Sequence, residues 1–281
     1  GSSGYVGRKI SEKLSMLECT IKGIDKLADN TIIDEHGFNL IDEDKTKILM
    51  REFEPDYIYH AGTNSALHYQ KDFISSYDED FKSLKNIINN IDNQKTKVLF
   101  FSSSYVYSGI RDEVVEAAVI NPNHNFGVGK RFFEQMLLRT LSKPIIFRLS
   151  SVFGPGTPRS PNAIKQLKEE INKTGEINIW GDGTRRMQYI AIEDVLGASL
   201  SGAELSNGIY NLGSDDYISM KELAELIKEA VGCKIEYDKT KIPGETLPFM
   251  VNRKIVEESK IEFSTVKKSI EKYISSVDNS Q

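Results

Sequence analysis

The chain has 281 residues, 39% of them hydrophobic, and a formal net charge of −5. That length suits one large domain, or a domain with a smaller lobe, and a sizeable core. Two classes are excluded: no basic run marks a dedicated nucleic-acid binder, and no apolar run approaches the ~18 residues of a membrane span.

Taken in order, residues 6–16 are helical in pattern and 19–24 form a short strand. Residues 45–54 read as a helix, and 57–60 as an apolar strand after the Pro55-Asp56 turn. Phe81, Leu84, Ile87, Ile88 and Ile91 recur at helical spacing and predict a helix over 78–91. A strand at 97–102, a helix at 126–141 and a strand at 145–149 follow. This alternation implies βαβ units and a parallel sheet. After Gly154-Pro155-Gly156 the pattern loosens. Helices at 163–172 and 220–231, the Gly181-Asp182-Gly183 turn and a last helix from Thr265 come next. The Lys-rich stretches 165–173 and 267–272 read as solvated helix faces. Cys19 and Cys233 lack metal-ligand spacing and read as ordinary thiols of a reducing compartment. No segment is patterned as a signal peptide, so a cytoplasmic location is expected.

The expected fold class is α/β: a Rossmann-type doubly wound parallel sheet with a small C-terminal α/β lobe. Residues 1–155 would form the dinucleotide domain, with 187–215 returning to it. Residues 156–186 and 216–281 would form the substrate lobe. Gly1, Gly4 and Gly7 give G-x-x-G-x-x-G, interleaved with Tyr5 and Val6. Such glycines let the backbone turn tightly and approach a pyrophosphate seated on a helix N-terminus. Asp25 lies 18 residues after Gly7, at the end of the next strand, where an acid bonds the adenosine ribose hydroxyls. Its charge repels a 2′-phosphate and favours NAD over NADP, while the neighbouring Lys26 blurs that preference. A glycine motif of this kind follows a strand, yet here it opens the chain. A first strand of ~5–8 residues is therefore expected to be missing from the centre of the sheet, which would leave its two neighbours without backbone partners. The alternative is a vector-derived Gly1-Ser2-Ser3-Gly4 leader.

Several further segments fall in register with that motif: Phe38-Asn39-Leu40, His60-Ala61-Gly62-Thr63, Ser102-Ser103-Ser104-Tyr105-Val106-Tyr107 and Phe126-Gly127-Val128-Gly129-Lys130. Arg148-Leu149-Ser150-Ser151-Val152-Phe153-Gly154-Pro155-Gly156, Gly181-Asp182-Gly183-Thr184-Arg185-Arg186, Ile192-Glu193-Asp194-Val195 and Tyr210-Asn211-Leu212-Gly213 continue it. Together they resemble the NAD-dependent epimerase/dehydratase family of the extended short-chain dehydrogenases, up to about Val231.

The resemblance implies NAD as cofactor, with Asn39, Leu40, Ala61 and Gly62 lining its site and His60 structural. It implies a nucleotide-diphosphate sugar as substrate, contacted by Ser104, Tyr105, Ser151 and Arg185 or Arg186, an arginine fork suiting the diphosphate. Ser151 stands where the family carries Asn, and Asp194 reads as a helix cap. Ser103 would hold the sugar hydroxyl, a tyrosine would take its proton, and Lys130 would lower the phenol pKa from about 10. Glu134 matches an acid one turn later. At the tyrosine position stands Phe126, which has no hydroxyl to give or take a proton. It reads as an engineered exchange, as a natural pseudo-enzyme, or as an enzyme using another base, with Tyr105 or His124 nearest. Ser104-Tyr105 lacks the carboxylates of the family's dehydratases. The implied activity is C4 epimerisation through a 4-keto intermediate, impaired at residue 126. The alternatives are a 4-ketoreductase or dehydrogenase, or a non-catalytic dinucleotide-binding protein. The resemblance also implies a homodimer packed through the helices at 78–91 and 126–141.

Overall fold

A computed structural model describes residues 1–28, 30–158 and 162–275. Helix α1 (Tyr5–Leu14) starts directly after the glycine turn and is followed by parallel strands β1 (Lys22–Asp25) and β2 (Asp34–Gly37). The Asp42 carboxylate accepts the Lys45 N–H at 3.1 Å and so starts α2 (Glu43–Phe53). Then come β3 (Tyr57–His60), α3 (Ala66–Lys71), α4 (Phe73–Ile88) and β4 (Lys97–Ser103). A 3₁₀ turn (Ser104–Tyr107) leads on to α5 (Asn125–Thr140), β5 (Pro144–Leu149) and β6 (Ser151–Phe153). The remainder is α6 (Ala163–Thr174), β7 (Glu176–Trp180), β8 (Arg186–Ala191), α7 (Ile192–Ser201) and β9 (Gly208–Leu212). After these follow β10 (Tyr217–Ser219), α8 (Met220–Val231), β11 (Lys234–Asp238), α9 (Arg253–Ser259) and α10 (Val266–Ser275).

The main sheet has the order β3-β4-β5-β9, all parallel. Its strands read as continuous apolar runs because both faces are covered. Along β4, Leu99 and Phe101 join a core with Ile10, Val195 and Ala198. Val98 and Phe100 point the other way, into a core with Leu84, Phe133 and Leu137. Strands β1 and β2 form a separate pair, so the sheet is divided between β1 and β3. A third core gathers Phe153, Ile164, Ile177, Tyr189, Leu223 and Ile270 under β10-β8-β6 and β11-β7.

Several sequence expectations are corrected. Strand β1 begins at Lys22 rather than residue 19, because the Cys19 N–H turns back to the Leu17 carbonyl. Helix α4 begins five residues early, at Phe73, where the Asp72 side chain accepts the Ser75 N–H at 3.0 Å. The Lys-rich face of α6 is not wholly solvated. Lys165 and Lys168 are buried, and Lys168 Nζ donates to the Tyr273 carbonyl at 2.8 Å. Asp194 does not cap α7, whose N-cap is Ala191 with no side-chain bond. Its carboxylate instead accepts the Ser264 N–H at 3.0 Å and tethers the approach to α10.

Candidate active site

The glycine turn is a cradle built by close approach. A Cβ on Gly7 would stand 2.0 Å from the Gly1 carbonyl oxygen, and one on Gly1 would stand 2.5 Å from the Gly62 backbone. Side chains at either place would push the turn apart. The bare backbone at the N-terminus of α1 fits a dinucleotide pyrophosphate. A cleft of about 320 Å³ runs from this turn to the end of β1 in one direction and to Phe126 in the other. Gly1, Gly4, Tyr5, Val6, Asp25, Asn39, Leu40, Ala61 and Gly62, all singled out in the sequence, line it together. Gly7 lies behind, packed on Gly1.

Glu79 on α4 also lines the cleft, and no sequence signal marked it. Its carboxylate accepts from Lys26 Nζ at 2.8 Å, Asn39 Nδ2 at 2.7 Å and Asn64 Nδ2 at 2.9 Å. Burial raises its pKa, but these three donors outweigh that and pull it down to about 2. Lys26 is thus held against Glu79 beside Asp25.

At the other end, β4 delivers Ser103 to the 3₁₀ turn, where its hydroxyl accepts the Tyr105 N–H at 3.3 Å. Helix α5 then carries Phe126 and Lys130 one turn apart. Lys130 is buried. Its ammonium donates to Thr63 Oγ1 at 2.6 Å and to the Phe101 carbonyl at 2.7 Å. Burial lowers its pKa to about 8, against the opposing pull of Asp80 and Glu134. Lys130 Nζ lies 5.3 Å from the centroid of the Phe126 ring. That ring is set edge-on to Tyr69 at 5.5 Å and Tyr105 at 6.0 Å.

The helix can come this close because of two glycines. A Cβ on Gly127 would stand 2.1 Å from the Tyr105 carbonyl oxygen, and one on Gly129 would stand 2.6 Å from the Tyr69 ring. Glu134, on the same helix, is fully buried. It accepts from Arg148 Nη2 at 2.6 Å and from Ser102 Oγ at 2.5 Å. Arg148 Nη1 in turn reaches the Tyr107 hydroxyl at 2.6 Å, and Tyr107 donates to Asn211 Oδ1 at 2.7 Å.

The two other bases near Phe126 differ. His124 is committed: its Nδ1 accepts the Phe126 N–H at 3.1 Å as the cap of α5, and its Nε2 bonds Gln70 at 3.0 Å. The Tyr105 ring lies tilted against His124 at 4.3 Å, and burial raises its phenol pKa. Ser104 is buried beneath that turn, and Ser151 is half-buried in β6. Arg185 donates to the Glu245 carbonyl at 3.0 Å and lies within electrostatic reach of Tyr105. Arg186 turns elsewhere, to Glu222 at 3.4 Å and the Tyr217 carbonyl. Among the described residues no cluster of three or more His, Cys, Asp or Glu could hold a metal ion, and no helix is long and apolar enough to cross a membrane.

A glycine turn feeding α1, an acid closing β1 and a parallel sheet behind them define a Rossmann-type dinucleotide-binding fold. The sequence profile of the NAD dependent epimerase/dehydratase family matches residues 1–213, and the chain belongs to that family. Solved structures with the same fold include the UDP-glucose 4-epimerase of Thermotoga maritima with UDP-glucose (TM-score 0.88, 18% identity, 98% of this chain and 96% of that one). The Thermus thermophilus UDP-glucose 4-epimerase with NAD gives TM-score 0.84 at 18% identity, over 98% and 96% of the two chains. The Bacillus anthracis dTDP-glucose 4,6-dehydratase with NAD gives 0.83 at 17% identity, over 98% and 93%.

Proposed function

We propose that this chain binds NAD in the cleft between Asp25 and Phe126 and a nucleotide-diphosphate sugar beside it, as a C4-epimerase-like protein disabled at one atom. The observation that carries this reading is the continuity of the cleft: the ribose acid, the glycine cradle and residue 126 line a single space. Asp25 disfavours a 2′-phosphate, and Lys26, engaged by Glu79, is not free to attract one. Residues 1–155 and 187–215 would hold the dinucleotide, and residues 156–186 and 216–281 the sugar nucleotide. Ser151 and Arg185 are the proposed substrate contacts, and Arg185 is supported by its electrostatic reach to Tyr105.

NAD, when bound, supplies a hydride acceptor beside the sugar. Ser103 orients the sugar hydroxyl. Lys130, pinned by Thr63 and the Phe101 carbonyl, places a positive charge under the position of residue 126. Phe126 fills that position with the right shape and no proton. A positioned acid/base is worth ~10²–10⁴ in rate, so binding without turnover is the expected behaviour. The absence of a carboxylate at Ser104 and Tyr105 argues against dehydration. The test is Phe126→Tyr, assayed with UDP-, GDP- and dTDP-sugars for reduction of bound NAD and for epimer formation. A gain of ~10²–10⁴ is expected; no gain would overturn the disabled-enzyme reading.

A second reading, a non-catalytic dinucleotide-binding protein, is favoured by the aromatic packing of Tyr69 and Tyr105 around Phe126. It predicts bound NAD with Phe126→Tyr silent. A homodimer through α4 and α5 is part of the proposal, because Ile74, Val128, Phe132 and Leu138 leave apolar surface exposed there. Light scattering at twice the chain mass would support it.

A further inference from the structure

The main sheet has a second pole. The cleft from Asp25 to Phe126 lies at the carboxyl ends of its strands, where ligands of open parallel sheets sit. At the amino ends lies another cavity, of about 430 Å³. Tyr57 opens β3, Lys97 opens β4, Lys143 directly precedes β5 and Asn207 directly precedes β9, and all four line it. Lys95 and Ala203 complete the wall together with Asp56, its one carboxylate. Three lysines therefore face one concavity. Lys97 is fixed: its ammonium donates to the carbonyls of Gly202 at 3.3 Å, Ala203 at 2.9 Å and Leu205 at 3.0 Å, just beyond α7. An ammonium has three hydrogens to give, so these bonds saturate it. Lys143 is half-buried and, among the described residues, its side chain makes no hydrogen bond or ion pair. Lys95 reaches only Asp92, at 3.8 Å. Asp56 forms no ion pair with any of the three among the described residues.

Like charges gathered in a concavity repel: burial, and then the charge of Lys143, lower the pKa of Lys97. A wall of one sign also focuses its field on small anions. We infer that this cavity is an anion site, which takes one phosphate group, free or carried on a small ester, between Lys143 and Lys95. Lys97 adds a fixed charge, and the other two lysines supply the donors. A phosphate dianion accepts charge-assisted bonds from both and offsets the repulsion between Lys97 and Lys143. Asp56 opposes any anion here, so a doubly charged group is favoured over chloride. The site is separate from the cleft that holds the dinucleotide in the proposed reading. Strand β4 runs from one to the other, with Lys97 at this pole and Ser103 at the far one.

Two probes test this at constant ionic strength set with chloride: inorganic phosphate and glycerol 3-phosphate. The readout is the backbone amide shifts of Lys97 and Asn207, set against those of Gly1–Gly7, where the bare glycine turn also fits a phosphate. Saturable shifts at Lys97 and Asn207 are expected with at least one probe, and the tighter probe tells a free ion from an ester. Lys143→Gln should weaken that binding about tenfold or more, while Lys143→Arg, which keeps the charge, should retain it. The Lys143 side chain carries no bond that folding would lose, so both variants report on binding. Shifts confined to the glycine turn, shifts that chloride alone reproduces, or equal affinity in the parent chain and Lys143→Gln overturn the proposal. So does the lack of any saturable shift at Lys97 and Asn207.

Discussion

Two buried polar groups near the carboxyl ends of strands in the same sheet have opposite fates. Beneath α5, Glu134, Arg148, Ser102, Tyr107 and Asn211 form a closed network in which each group finds a partner. At the end of β3, His60 is as deeply buried and finds none. The difference follows from the backbone around each. Arg148 sits on β5, flanked by β4 and β9, so neighbouring strands bring partners to it. His60 sits on β3, which among the described residues pairs only with β4 and otherwise faces a cavity of about 970 Å³.

The largest test of this contrast is Glu134→Ala. It leaves the Arg148 guanidinium buried and uncompensated, and should lower the unfolding free energy by about 3–5 kcal/mol, read from the denaturant midpoint. Acid comes next. Burial, with Lys130 adding to it, holds the His60 pKa at about 3 rather than 6.5. The unfolded chain then takes up a proton below pH 6.5 that the folded chain refuses until about pH 3. The His60 share of stability is complete above pH 6.5 and falls by about 1.4 kcal/mol per unit below it. Melting curves between pH 7 and pH 4.5 should show this slope, and His60→Leu should flatten it. Tyr107→Phe is smaller: it removes the bonds to Arg148 and Asn211 and should cost about 1–3 kcal/mol in the same denaturant assay. Smallest is His60→Leu at neutral pH, which removes two unpartnered nitrogens and should change stability by no more than about 1 kcal/mol, in the stabilising direction. A large loss there would mean that His60 has a partner in solution, and the contrast would collapse.

Much of this was legible in the sequence, for local reasons. Strand β3 and helix α8 match their expected bounds because a Pro turn, a Ser219 cap and Gly232 punctuate them. The cradle was readable because glycine spacing reflects backbone geometry rather than distant contacts. The short strands β6, β7, β8, β10 and β11 were not, since runs of three to six residues carry little periodicity. Burial of Lys168 was hidden because its acceptor lies 105 residues away in α10. Glu79 was missed for the same reason: its three donors come from three separate loops. Gly127 and Gly129 were visible as residues, but their purpose shows only once Tyr69 and Tyr105 stand against them.

Glu79 also constrains what evolution or an engineer could do with this molecule. One carboxylate ties down the lysine next to Asp25 together with two asparagines of neighbouring loops. If Asp25 meets the ribose as proposed, selection for a phosphorylated dinucleotide would have to remove it, but that exchange alone would leave Lys26 paired with Glu79. The positive charge needed is already encoded and held in reserve. On the proposed reading its release depends on Glu79, which lines the same cleft from α4, so a switch of cofactor would be a two-step path.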